Sequence, residues 1–146
     1  MKKILIVIVT FLLFACNKED NNNTNCNFLI DAGVNLTVNT NFPQFSQLAF
    51  PNNGVYVPNQ GINGIWLWRL NSSILYAWEA SDPSHQTSGC SALEDTGTGD
   101  IVECGCEDGN QYSLSTGQAF AQNTQPCTLK LYRVDDIGNN TFLVTN

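Results

Sequence analysis

The sequence is short of positive charge. Its 146 residues include six lysines and arginines against 13 aspartates and glutamates, and a single histidine. Proteins that bind nucleic acid or anionic membrane surfaces carry a basic footprint on the binding face. The composition therefore argues against nucleic acid as a partner, and it allows only one imidazole in any metal site.

The sequence also lacks any long window in which apolar residues recur with the 3.6-residue period of a helix. It has instead short runs of β-branched and aromatic residues, separated by turn signals rich in Asn, Gly and Ser. The predicted strands are residues 34–38, 65–70, 74–78, 101–103 and 129–134. Many short strands with tight turns predict an all-β fold, an antiparallel sandwich or barrel.

Two hairpins are expected, one over residues 65–78 and one over residues 129–145. The first contains all three tryptophans, Trp66, Trp68 and Trp78. Trp66 and Trp68 point to the same face because strand side chains alternate. We interpret the tryptophans as core residues, since aromatic side chains supply much of the apolar area in small β domains. A platform for a sugar or a protein partner is the alternative.

The first 15 residues have the charged, apolar and small-residue order of a secretory signal peptide. The apolar run 4–14 is shorter than the roughly 20 residues needed to span a bilayer. Leu13-Phe14-Ala15-Cys16 resembles the lipobox of bacterial lipoproteins, in which the cysteine is lipidated and becomes the first mature residue. The resemblance implies that Cys16 anchors the chain to a membrane. Ordinary secretion, with Cys16 as one more thiol, is the alternative.

Residues 16–25 are polar throughout and predict a disordered tether, because they offer nothing to bury. Lys18-Glu19-Asp20 resembles the acidic tags that send some lipoproteins to the outer face of the outer membrane, although a plain solvated spacer has the same composition. We expect an outer-membrane lipoprotein with its domain on the periplasmic or cell-surface face. A protein complex of the envelope is a candidate partner.

Residues 26–146 have room for one domain. Loss of Lys2 and Lys3 with the signal peptide leaves four of the six basic residues against 13 acidic ones, a formal charge of −9. With Cys16 assigned to the lipid, five of the six cysteines remain. In an oxidising compartment, five cysteines permit two disulfides and one leftover thiol.

Residues 74–134 carry a series of landmarks in a recognisable order. Asp82-Pro83-Ser84-His85 and Gly89-Cys90 come first; Cys104-Gly105-Cys106, a Thr116-Gly117 turn and Pro126 follow. This order resembles the cluster-binding half of the Rieske iron–sulfur family, whose two boxes read Cys-x-His-x-Gly-Cys and Cys-x-Cys-His-Gly-Ser. The resemblance implies a Rieske-type antiparallel fold with a small subdomain of two disulfide-linked loops.

The resemblance also implies roles for individual residues. Cys90 and Cys106 match the pair that forms the disulfide between the loops. Cys104 and His85 match ligands of a [2Fe–2S] cluster, which the family holds with two thiolates and two imidazoles. The other two ligand positions fall at Asp82 and, in Glu107-Asp108, at Asp108.

Two carboxylates in this ligand set should weaken a cluster built on soft thiolates. We therefore expect the fold without the cluster, no cofactor, and a binding or structural role in the envelope. One alternative is electron transfer through a [2Fe–2S] cluster with unusual ligands. Another is a single divalent metal ion such as zinc, held by His85, Cys104 and a nearby carboxylate.

The remaining cysteines suggest a second disulfide between Cys26 and Cys127, which would leave Cys104 as the free thiol. Pairing of Cys90 with Cys104, leaving Cys106 free, stays open. Catalysis by Cys104 with His85 as base has the needed residue types. We do not expect it, because the acidic neighbours of Cys104 disfavour its thiolate.

Overall fold

The computed structural model describes residues 25–146. The predicted signal peptide and lipid anchor, and all of the predicted tether except Asn25, lie outside the described residues. Within residues 25–146, no helix has both the length and the apolar character needed to cross a membrane.

The described part of the chain contains nine strands and one short 3₁₀ helix, Pro43–Ala49. The strands are β1 Asn35–Asn39, β2 Asn53–Val57, β3 Ile65–Arg69, β4 Leu75–Glu79, β5 Leu93–Asp95, β6 Ile101–Cys104, β7 Gln111–Ser113, β8 Arg133–Gly138 and β9 Thr141–Thr145. They form three antiparallel sheets with the orders β1-β9-β8, β2-β3-β4 and β5-β6-β7. The predicted all-β, antiparallel fold class is confirmed.

The middle sheet, β2-β3-β4, has an apolar core on each face. Ile65 and Leu67 of β3 pack against the first sheet and the 3₁₀ helix Pro43–Ala49, whereas Trp68 packs against the third sheet. Burial on both faces explains why residues 65–70 and 74–78 read as nearly continuous apolar runs rather than as strict alternation. The three sheets are thus stacked around two cores.

The tryptophans are part of this packing. Trp68 and Trp78 are 5% and 6% exposed, which confirms the core interpretation for both. Trp66 is half-buried, and its Nε1 donates a hydrogen bond of 2.8 Å to the carbonyl of Leu93 on β5. The indole of Trp66 therefore ties the middle sheet to the third sheet.

Both predicted hairpins are present, with one difference in a strand boundary. The turn between β3 and β4 lies at residues 71–73, and the turn between β8 and β9 uses Asn139 and Asn140 at φ of 53° and 57°. The last predicted strand begins at Arg133 rather than at residue 129. Leu129 donates its N–H to Gly117 and Tyr132 donates to Ala77, so this segment bonds to two separate partners instead of one ladder.

The sequence patterns missed the 3₁₀ helix and three short strands, β2, β5 and β7. Asn53 and Gly54 read as a turn, yet they begin β2 opposite Arg69 and Trp68. A Cβ at Gly54 would lie 3.0 Å from the Trp68 ring, so the glycine here makes room for the indole. The close approach of the Trp68 ring, and not a turn, explains why this position is a glycine.

Candidate functional site

Two loops project from the third sheet and lie side by side. The first spans residues 80–92 between β4 and β5, and the second spans residues 105–110 between β6 and β7. A disulfide between Cys90 and Cys106 joins them, and the N–H of Gly105 donates to the carbonyl of Ala92. The structure therefore has the two disulfide-linked loops that the resemblance implied.

The other disulfide joins Cys26 to Cys127, across 101 residues of sequence. It fastens the start of the described chain to the segment that precedes β8. Among the described residues, Cys104 is the free cysteine, and it is 2% exposed. The alternative pairing of Cys90 with Cys104 is not found.

The four residues at the ligand positions converge between the loops. The Nε2 atom of His85 lies 3.3 Å from Asp82 Oδ2 and 3.7 Å from Asp108 Oδ2. The same nitrogen lies 3.4 Å from the Sγ atom of Cys104. The fold therefore brings three of the ligand-position side chains around the imidazole nitrogen of the fourth, His85.

The orientation of His85 is fixed by its other ring nitrogen. Nδ1 lies 3.0 Å from the backbone carbonyl of Gln86. Because a carbonyl only accepts hydrogen bonds, this contact places a proton on Nδ1. In the neutral imidazole, Nε2 then directs its lone pair at the two carboxylates and the sulfur.

Asp82 is fully buried and is held by three donors. The N–H of Ser84 and the hydroxyl of Tyr112 donate to Oδ1 at 2.7 and 2.6 Å, and Asn110 Nδ2 donates to Oδ2 at 2.9 Å. Burial alone would raise the pKa of Asp82, but the hydrogen bonds from Tyr112, Asn110 and Ser84 outweigh it and the pKa is lowered. The side chain at this position is a carboxylate.

Asn110 connects the two carboxylates. Its Nδ2 atom donates to Asp82 at 2.9 Å and to Asp108 at 2.8 Å, while its Oδ1 atom accepts the N–H of Thr124 at 2.8 Å. The side chain is fully buried. One amide therefore sets the separation of the two carboxylates.

Sequence analysis did not assign site roles to Asn110, Tyr112 or Thr124. Tyr112 lies 30 positions from the aspartate it contacts, and Thr124 lies 14 positions from Asn110. Their one local signal is position, because Asn110 ends the second loop and Tyr112 lies two residues further on, in β7.

The thiol of Cys104 is protonated at neutral pH. Burial raises its pKa to about 12, against a backbone hydrogen bond at Cys106 that lowers it, and the charges of Asp82 and Asp108 raise it further. The sequence pointed to the acids that neighbour Cys104 in the chain; in the structure Asp82, from the first loop, has this role together with Asp108. A thiol with this pKa is a poor nucleophile.

No family model and no curated protein matches the chain. Among solved structures, the chain is similar to one described as the small subunit of an NADH-dependent nitrite reductase from Mycobacterium tuberculosis. That match has a TM-score of 0.44 and 19% identity, and it covers 80% of this chain and 97% of the other.

A second match is to a chain in the complex of reduced oxygenase and oxidized ferredoxin of carbazole 1,9a-dioxygenase. It has a TM-score of 0.43 and 15% identity, and it covers 81% of this chain and 93% of that one. Identities and TM-scores this low give no evidence of a shared activity or cofactor. The two loops, their Cys90–Cys106 disulfide and the all-β base agree with the resemblance found in the sequence. The fold is Rieske-like.

The residues of the site do not fit a [2Fe–2S] cluster of the Rieske type. Such a cluster takes two thiolates on one iron and two imidazoles on the other. The chain has one histidine, and the described part of the chain has one free cysteine. Asp82 and Asp108 supply hard oxygen donors at the other two positions.

Proposed function

We propose that this chain is a lipid-anchored protein of the bacterial envelope, in which a Rieske-like domain without a [2Fe–2S] cluster has a binding or structural role. The observation that carries the proposal is the convergence of the other three ligand positions on His85 Nε2, at 3.3, 3.4 and 3.7 Å.

The spacing of the donors argues against two irons. In a Rieske cluster, the two thiolates and the two imidazoles bind different iron atoms that are separated by bridging sulfides. The two ligand pairs must therefore lie at opposite ends of the cluster. Here Asp82 and Cys104 occupy the thiolate positions, yet both approach the imidazole of His85 closely enough for direct contact. These short contacts support a site without a two-iron core.

The loops are also held together without a cluster. The Cys90–Cys106 disulfide joins them covalently, and Asn110 links Asp82 in the first loop to Asp108 in the second. Tyr112 adds a hydroxyl that lies 2.6 Å from both Asp82 and Ser84. These contacts hold the two loops together as one surface, which suits binding to another molecule or a structural contact.

Two features support a location in the bacterial envelope. Structural disulfides form in the oxidising compartments outside the cytoplasm, and this domain has two of them. The segment that ends at Cys16 has the order of a lipoprotein signal, and the acidic composition argues against binding to nucleic acid. A membrane through the Cys16 lipid, and a protein complex of the envelope, are the partners that we propose.

Anaerobic reconstitution with iron and sulfide tests the loss of the cluster. The purified full chain is incubated beside a genuine Rieske ferredoxin, which serves as the positive control, and visible absorption and acid-labile sulfide are measured. We expect a folded, disulfide-bonded and colourless product. Near-stoichiometric iron and labile sulfide with a sulfide-to-iron charge-transfer spectrum would contradict the proposal and favour one-electron transfer instead.

A further inference from the structure

The centre of the site brings together three acceptors. With its proton on Nδ1, His85 presents a lone pair at Nε2, and the Oδ2 atoms of Asp82 and Asp108 lie 3.3 and 3.7 Å from that nitrogen. Asn110 Nδ2 donates to the same two oxygens, and the protonated thiol of Cys104 lies 3.4 Å from Nε2, so these two groups satisfy part of the site. A divalent cation at the centre would satisfy all three acceptors at once and offset the repulsion between them.

We propose that this site binds one divalent transition-metal ion of the zinc type, with His85 Nε2, Cys104 Sγ and carboxylate oxygens of Asp82 and Asp108 as ligands, and that the Cys104 thiol releases its proton to solvent when the ion binds. The inference rests on the proposed function, because a two-iron cluster would need the same residues. It names the ligand that the cluster-free loops hold.

The distances match a tetrahedral site. Zinc lies about 2.0–2.2 Å from nitrogen or oxygen ligands and about 2.3 Å from sulfur, so neighbouring ligand atoms in a tetrahedron are about 3.3–3.7 Å apart. The three separations measured from His85 Nε2 are 3.3 Å to Asp82, 3.4 Å to Cys104 and 3.7 Å to Asp108. The neighbours of His85 Nε2 therefore lie at the distances from that nitrogen that one tetrahedral ion requires.

Cys106 Sγ also lies within 4.8 Å of the donor atoms of His85, Cys104 and Asp108. Its sulfur is bonded to Cys90, so it supplies no thiolate. The disulfide instead closes one side of the site.

The atoms behind the ligands have the arrangement of a metal site. A metal-binding histidine usually donates its second ring N–H to a carbonyl or a carboxylate, and His85 donates from Nδ1 to Gln86. Ligating carboxylates are usually hydrogen-bonded in turn, and here Tyr112 and Asn110 orient the carboxylate of Asp82. These contacts would fix the ligands before an ion arrives.

The donor types select the metal. Imidazole, thiol and carboxylate together suit zinc, which accepts nitrogen, sulfur and oxygen in a tetrahedral geometry. Magnesium and calcium prefer sites made of oxygen atoms. The competing cation is a proton on His85 Nε2, which would turn the site into an ion pair of imidazolium with Asp82 and Asp108.

The test is a titration of the full chain after treatment with a chelator. Zinc is added first, and cobalt(II) is then used as a spectroscopic substitute for zinc. We expect one ion of either metal per chain. Cobalt should give the visible bands of a tetrahedral ion together with a near-ultraviolet band from the bond to Cys104.

Three variants locate the ion. His85→Ala and Cys104→Ser should each weaken zinc binding by about 100-fold or more, because losing a ligand costs at least as much as losing a supporting residue. Cys104→Ser should also remove the near-ultraviolet cobalt band. Glu94→Gln is the matched control, since it removes one exposed carboxylate from the neighbouring strand β5 and should leave zinc affinity unchanged.

Each outcome decides the inference. Equal zinc affinity in the unchanged chain and in His85→Ala would overturn it, and Cys104→Ser gives the same decision if His85→Ala does not fold. Absence of zinc binding to the unchanged chain would also overturn it. Both results leave the proposed function standing, whereas labile sulfide with iron would overturn the proposed function itself.

Discussion

Two buried carboxylates, Glu79 and Asp82, lie near each other in the sequence but serve different regions of the molecule. Glu79 ends β4 and belongs to the base of the domain, and Asp82 lies in the first loop of the site. Both side chains are fully buried. A buried charge is costly unless it is paired or hydrogen-bonded, so each must be accounted for by its partners.

Glu79 is surrounded by donors. It accepts the N–H groups of Ile62 and Asn63 at 2.8 and 3.0 Å, the hydroxyl of Tyr132 at 2.6 Å and the hydroxyl of Ser81 at 3.1 Å. Four donors satisfy both oxygens, and these contacts leave no need for an ion. Glu79 is therefore a structural carboxylate that ties β4 to the turn before β3 and to the segment before β8.

Asp82 has three donors, but one of its oxygens also faces His85 Nε2 at 3.3 Å, and a second carboxylate, Asp108, approaches the same nitrogen. The comparison teaches that burial alone does not make a carboxylate a ligand. What distinguishes Asp82 is that its Oδ2 atom, which accepts from Asn110, also faces an imidazole nitrogen that a second carboxylate approaches.

The largest effect on stability is expected for Glu79→Ala. The change leaves two N–H groups and two hydroxyls without their partner in a buried place, which costs about 3–5 kcal/mol of the free energy of unfolding. Urea unfolding followed by far-ultraviolet circular dichroism measures it. Zinc affinity of the folded fraction should stay unchanged; a loss of zinc binding in that fraction would remove the distinction between the two carboxylates.

Tyr132→Phe and Tyr112→Phe form a matched pair, since each removes one hydroxyl that donates 2.6 Å to a buried carboxylate. A hydrogen bond to a charged group contributes about 1.5–3 kcal/mol, so both variants should lose stability of that order. Only Tyr112→Phe should also weaken zinc binding, by about 10-fold or more. Equal zinc affinities in the two variants would contradict the assignment of Asp82 as a ligand.

The acid stability of the metal-free chain gives a smaller effect. Burial tends to raise the pKa of Asp82, but its hydrogen bonds outweigh burial and lower the pKa below the value of about 3.9 found in unfolded chains. Asp82 therefore adds stability that is fully present above about pH 3.9 and is lost as the pH falls through the folded pKa. Urea unfolding of Asp82→Asn should depend less on pH below about pH 4 than that of the unchanged chain; an identical dependence would contradict the lowered pKa.

The smallest effect on the domain is expected for Cys16→Ser, which should leave stability and zinc affinity unchanged. It should move the chain from the membrane fraction to the soluble fraction, because each methylene of a buried acyl chain contributes about 0.8 kcal/mol to membrane binding. Fractionation and labelling with a radioactive fatty acid measure both properties. Labelling that persists in the variant would contradict lipidation at Cys16.

The sequence predicts the parts of this structure that depend on local patterns. Residues 65–78 give a hairpin because their β-branched and aromatic residues flank a polar turn, and the resemblance to the Rieske boxes implies two loops joined by Cys90 and Cys106. Strand β2 was missed because Gly54 reads as a turn residue, although its role is to admit the Trp68 ring from the neighbouring strand.

The site was predictable as a set of residues and not as a network. Alignment with the two Rieske motifs identifies Asp82, His85, Cys104 and Asp108, because these residues occur in the same order along the chain as the family's ligands. The partners that hold them are contacts made by the fold: Tyr112 reaches Asp82 across 30 residues. Periodicity and spacing do not predict contacts between residues so far apart in the sequence. The role of Glu79 was not predicted for the same reason, because its partners lie in other segments.

The most direct test of the account is a pair of anomalous-difference maps, recorded at the iron and zinc absorption edges, from crystals of the full chain reconstituted with iron and sulfide and from separate crystals grown with zinc and no sulfide. We predict a single zinc peak bonded to His85 Nε2, with Cys104, Asp82 and Asp108 as the other ligands, and no iron at the site. A pair of iron peaks bridged by sulfide between the two loops would contradict the central claim that this Rieske-like domain has lost its cluster.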